Sequence, residues 1–164
     1  MRIGIISDSH DDAENLKKIL RILKNEKIEK IFHLGDYVAP PLVKLMNGFE
    51  VTGVLGNNDG FVLGLVQVFG EIGGSLLGDF GKIEIEDVRI ALYHGTIREI
   101  SESLTASGSF DVIFCGHFHK SEIYESDGAL LLSPGSCHSY FKKDSSPTFG
   151  IFNTSDKSFE IVSI

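Results

Sequence analysis

Cysteine is scarce in this chain: Cys115 and Cys137 are the only two among 164 residues. Two thiols make no disulfide framework. Neither stands beside an activating base in sequence, so both read as core or near-core fillers and not as nucleophiles. Positive charge is also in deficit. With 15 Lys and Arg against 23 Asp and Glu the net charge is −8, which argues against an electropositive groove for a long nucleic acid, where cations must meet phosphates. A phosphate ligand stays compatible with that balance, because bound cations invert the local field. The opening "MRIGIISDSH" is apolar too briefly for a signal peptide, and its charged successors rule out a spanning helix. Linkers, repeats and low-complexity segments are missing too. What remains is 42 % hydrophobic and 23 % charged, globular values. The length suits one domain over residues 1–164. The expected setting is the cytoplasm, with no membrane partner.

The first third of the chain has a regular rhythm. "RIGIIS" at 2–7 reads as a buried strand, and Leu16, Ile19, Leu20 and Leu23 fall at helical spacing behind an Asp able to cap. "KIFHLG" at 30–35 reads as a second strand, "PPLVKLMNG" as a short helix opening on proline and closing on glycine, and "EVTGVLG" as a third strand. Such alternation belongs to parallel βαβ units, hence an α/β fold. After residue 60 the chain is strand-rich and partly antiparallel. "KIEIEDVRIALYHG" predicts two strands turning near Asp87, "REISESLTAS" a helix and "DVIFCG" a buried strand. Two hairpins are expected, around Ser126–Asp127–Gly128 and around Ser155–Asp156. The Gly-rich "VFGEIGGSLLG" reads as a mobile loop that matches no phosphate-cradling fingerprint. "FVLGLVQVF" at 61–69 is strongly apolar for its position, and reads either as a helix packed on the core or as part of a subunit interface, as in a homo-oligomer.

In an open α/β sheet, ligands sit outside the carboxyl ends of the strands. The segments following the predicted strands are "DSH" at 8–10, "GDYV" at 35–38, "GNND" at 56–59, "HGT" at 94–96 and "GHFH" at 116–119. Asp8, His10, Asp36, Asn57, His94, His117 and His119 therefore gather at strand ends, and four of the six histidines are among them. Imidazole nitrogen mixed with carboxylate and amide oxygen suits intermediate divalent metals. Seven ligands are too many for one ion and about right for two if one carboxylate bridges; Asp36, at a central strand end, is the candidate. If the chain stays extended past Cys115, His117 and His119 point to one side, being two residues apart.

The order D-x-H, G-D-x-V, G-N-x-D, H-G, G-H-x-H resembles the calcineurin-like metallophosphoesterases, in particular their small single-domain phosphodiesterases, from residue 3 to about residue 140. The resemblance implies a sandwich of two mixed β-sheets flanked by α-helices. It also implies a ligand set: Asp8, His10 and His119 on a first ion, Asn57, His94 and His117 on a second, and Asp36 bridging. Two divalent ions per chain are implied, Mn first among Ni, Fe, Zn and Mg, with a metal-activated hydroxide as the nucleophile and a small phosphodiester as substrate. A retromer scaffold subunit shares the fold, which makes a metal-binding interaction scaffold the alternative.

Two positions depart from the family. Where many relatives carry a histidine that protonates the leaving group, this chain has Asn58, whose amide donates a hydrogen bond but supplies no general acid near neutral pH. Thr96 stands where close relatives often have another histidine. Both are read as substrate contacts, and Asn58 predicts a preference for diesters or activated esters. His33 is expected to be a hydrogen-bonded core or supporting histidine, Phe118 to be packing, and His138 to be a surface loop residue with an outside claim to the missing acid. Asp59 reads as part of an Asn-Asn-Asp-Gly turn.

Overall fold

In a computed structural model, residues 1–140 and 146–164 are described. The chain runs β1 (Arg2–Ile6), α1 (Ala13–Asn25), β2 (Lys30–His33), α2 (Pro40–Val43) with a 3₁₀ turn Lys44–Met46, β3 (Glu50–Gly53), α3 (Val62–Glu71) and β4 (Ser75–Leu76). It continues with β5 (Phe80–Ile85), β6 (Val88–Tyr93), α4 (Arg98–Ala106), β7 (Val112–Phe114), β8 (Ser121–Ser126), β9 (Ala129–Pro134), β10 (Thr148–Asn153) and β11 (Ser158–Ser163). One sheet has the order β11-β10-β1-β2-β3-β4, the other β5-β6-β7-β9-β8. Both are mixed: β1 to β4 run parallel and β10 and β11 add antiparallel beside β1, while β6, β7 and β9 run parallel and antiparallel β5 and β8 close both edges of the second sheet.

Period-two alternation divides the core. Ile3, Ile5, Phe32 and Phe152 from the first sheet meet Ile90, Leu92, Val112, Phe114 and Leu132 from the second. Ile6, Ile31, Val51 and Ile151 face the other way, onto Leu16, Ile19, Leu23, Leu65 and Phe69 of the helices. On the outer face of the second sheet Ala91, Ile113 and Ala129 pack with Phe110 and Leu104 beside α4. The result is the expected sandwich of two mixed sheets with helices outside. Asp12 caps α1 by accepting the Asn15 N–H at 3.0 Å. Among the described residues no helix is long and apolar enough to cross a membrane.

The Gly-rich stretch is not the loop expected from its composition. α3 runs through Glu71, with Val68 and Phe69 in the core, and β4 pairs with β3. Its glycines cap the helix: Gly73 has φ +71°, its N–H reaches Gly70 O at 3.2 Å, and the Gly74 N–H reaches Phe69 O at 2.8 Å. That is the Schellman pattern, which needs a left-handed residue. The apolar 61–69 segment has an inner face in the core and an outer one, Leu63 and Val66, exposed to solvent.

Candidate metal centre

Six loops converge at one rim of the sandwich, each leaving a parallel strand at its carboxyl end: after β1, β2, β3, β6, β7 and β9. The first two brace each other, since the Asp8 N–H donates to Gly35 O at 3.1 Å and the His10 N–H to Asp36 O at 3.0 Å. Left-handed backbone is concentrated here, at Asp8 (φ +54°), His10 (+40°), Asp36 (+59°), Val38 (+74°), His117 (+70°) and His119 (+54°). Each such non-glycine residue costs on the order of 1–3 kcal/mol, held by its surroundings.

The two histidines after β7 are therefore not neighbours by strand alternation. The strand ends at Phe114, and a turn with both residues left-handed aims them apart. His119 Nε2 lies 3.2 Å from Asp8 Oδ1, while the His117 ring meets the His94 ring edge-on at 5.2 Å. Glycine at 116 is obligatory for this approach. A Cβ there would sit 2.7 Å from Asp8 Oδ2 and collide with Ser7 Oγ; without one, the His117 N–H donates to Asp8 Oδ2 at 3.0 Å.

Asp36 lies at the middle. Its Oδ2 is 3.4 Å from His10 Nε2 and 3.4 Å from His94 Nε2. His94 Nδ1–H donates to Leu34 O at 2.7 Å, which turns Nε2 inward, 3.1 Å from Asn57 Oδ1. The other six residues thus gather in two groups on either side of Asp36. Asn58 is here as well, donating N–H to Asp36 Oδ1 and Nδ2–H to Oδ2, both at 2.8 Å. It orients the central carboxylate. Thr96 is exposed on a cleft of about 300 Å³ that it lines with Asn57, His94, Tyr93 and Ile100.

The buried carboxylates are held ionised by the imidazoles around them. Burial pushes the Asp8 carboxyl up, but contacts with His10 and His119 and the charge of His94 outweigh it and hold it well below the usual range. Burial likewise opposes ionisation of Asp36, while the His94 contact and charge and two Asn58 bonds bring it down to about 2. His10 is raised by its contact with Asp8. Buried His94 is raised by Asp36 and Asp8 despite desolvation. Asp8 Oδ1 is buried and accepts no hydrogen bond among the described residues. Oxygen and imidazole donors around an unsatisfied buried carboxylate oxygen fit intermediate divalent ions. Asp8, His10 and Asp36 offer ligand atoms within 4.8 Å of one another, as do His10, His119 and His138.

Supporting residues surround these donors. His33 is fully buried and stacked on Tyr37 at 4.0 Å. Burial lowers its pKa to about 3. Its Nδ1 accepts the Gly35 N–H at 3.3 Å and its Nε2 meets Ser9 Oγ, tying the D-S-H loop to the G-D loop. His138, expected on the surface, is 5 % exposed, because β9 is parallel to β7 and ends at the same rim. The signal was present in "LLLSPGSCHS", a strand, a glycine and then a histidine, as in "VIFCGHFH". Asp59 is more than a turn residue. Its Oδ2 accepts the Asp36 N–H (2.8 Å) and Gly56 N–H (2.7 Å), and its Oδ1 the Val38 N–H (2.9 Å). Burial pushes both thiols up, Cys115 to about 11 and Cys137 to about 12, leaving neither a nucleophile.

Comparison with known proteins gives the family. The family model described as "Calcineurin-like phosphoesterase superfamily domain" matches residues 1–157. Phosphodiesterase MJ0936 of Methanocaldococcus jannaschii is 34 % identical over 166 residues, covering 99 % of each chain. The solved structure of an archaeal phosphodiesterase, 32 % identical, superposes over 100 % of both chains with a TM-score of 0.94. Zinc-complexed Vps29 from Entamoeba histolytica shares the fold at 20 % identity, with a TM-score of 0.67 over 100 % of this chain and 98 % of that one. The five sequence motifs, their meeting at one rim and the matching family model have one meaning: the chain belongs to the calcineurin-like phosphoesterase superfamily.

Proposed function

We propose that this phosphoesterase is a metal-dependent phosphodiesterase working with two divalent ions, Mn first among Ni, Fe, Zn and Mg. The observation that carries the reading is Asp36, whose Oδ2 is equidistant, at 3.4 Å, from an imidazole of each donor group. Asp8, His10 and His119 would hold one ion, Asn57, His94 and His117 the other, with Asp36 shared. Two ions so held supply the Lewis acidity that activates water and offsets charge on the phosphoryl oxygens. Asn58 keeps the shared carboxylate in plane through its two hydrogen bonds. Its amide gives no proton to a leaving alkoxide, so diesters and activated esters are favoured over alkyl monoesters. The cleft beside Thr96, Tyr93 and Ile100 offers room for one ester group. A small phosphodiester is the expected substrate, consistent with the net charge of −8. Asp36→Ala should lose both ions and all hydrolysis; full activity in that variant refutes the assignment.

The alternative is a metal-binding interaction scaffold with little turnover. It is favoured by the exposed apolar Leu63 and Val66 on α3 and by Phe118, 57 % exposed beside His117. Ions bound without turnover of any diester would select it.

A further inference from the structure

A histidine that holds an ion through one ring nitrogen needs a partner on the other to fix its plane and proton. For His94 that partner is Leu34 O. For His119, whose Nε2 faces Asp8, the Nδ1 lies 3.3 Å from His138 Nε2. We propose that His138 is a positioning residue for the first ion: it sets the ring of His119, so that affinity on the Asp8, His10 and His119 side depends on it and affinity on the Asn57, His94 and His117 side does not. The inference rests on the ligand set proposed above.

His138 is itself held from several directions. Its backbone N–H reaches Ser136 Oγ at 3.2 Å and Asp8 O at 3.3 Å. Its Nδ1 accepts the Tyr140 N–H at 3.2 Å, and the Tyr140 ring stacks on it at 5.6 Å. The imidazole meets His10 and His119 edge-on, with centroids 4.5 and 4.6 Å away. A ring restrained in this way transmits its orientation to His119.

The contact also has a signature. His119 holding an ion at Nε2 carries its proton on Nδ1, pointing at His138 Nε2. Neutral His138 accepts there only with its own proton on Nδ1, where the Tyr140 N–H now lies. Loading the first ion therefore displaces the Tyr140 amide bond, and the Tyr140 amide resonance should move.

The test is a Co²⁺ titration of chelator-stripped protein, followed by visible absorption and calorimetry, with the Tyr140 amide monitored by NMR. His138→Ala should weaken one ion by about 10–100-fold and leave the other unchanged. His138→Gln, whose carbonyl oxygen falls near the position of Nε2, should restore most of that loss. Wild-type affinity for both ions in H138A, or a Tyr140 amide unmoved by loading in the wild type, overturns the proposal. So does an equal loss at both sites in H138A and H138Q with a lowered Tm, which marks a merely structural role. A wild type that binds no Co²⁺ refutes the two-ion reading itself, a distinguishable failure.

Discussion

Asp59→Asn is the substitution whose cost follows most directly from the geometry. The carboxylate accepts three backbone N–H groups, from Asp36, Gly56 and Val38, at 2.8, 2.7 and 2.9 Å. An asparagine with its oxygen in the Oδ2 position keeps two of these bonds as neutral ones and turns an NH₂ toward the Val38 N–H. Hydrogen bonds to charged groups contribute about 1.5–3 kcal/mol and neutral ones about 0.5–1.5, while an orphaned buried donor costs about 1–3 kcal/mol. Set against this, burial and the Asp36 charge push the Asp59 carboxyl above the ordinary aspartate range, and the neutral amide escapes that penalty. The net loss is about 2–4 kcal/mol, or roughly 5–15 °C in Tm for a chain of this size. It should appear in thermal melts with chelator present, where ions contribute nothing. Because Asp36 and Val38 are left-handed, the same variant should also bind metal more weakly. A Tm within about 1 °C of wild type would refute the view that Asp59 clamps the Asp36 loop.

Further outcomes follow from other positions. Asn58→His should raise monoester over diester turnover by about tenfold or more, given what general acids contribute; an unchanged ratio removes position 58 from leaving-group protonation. Cys137, fully buried with its thiol pushed up to about 12, should resist a thiol-specific disulfide reagent in the folded protein and react on unfolding. Its modification within seconds under native conditions contradicts the burial.

Much of this was legible in the sequence because local pattern and tertiary need coincide there. Leu16, Ile19, Leu20 and Leu23 announce α1, and Asp127–Gly128, with φ of +53° and +79°, announce the β8–β9 turn. The seven donors were legible because each follows a strand in chain order. Less could be read where one residue type serves two ends. Gly73 and Gly74 look like loop residues and act as a helix cap. Asp59 looks like a turn residue and ties two loops together. His138 was obscure because "LLLSP" reads as one arm of a hairpin, whereas β9 also pairs parallel with β7. That pairing is a long-range fact that no local pattern encodes.

The central claim is best tested with bis(p-nitrophenyl) phosphate, hydrolysed by chelator-stripped protein reloaded with Mn²⁺ while bound metal is counted. The stripped protein should show no turnover, and recovery should saturate at two ions per chain. Turnover that survives stripping, or two ions bound with no turnover of this or any other diester, would contradict it.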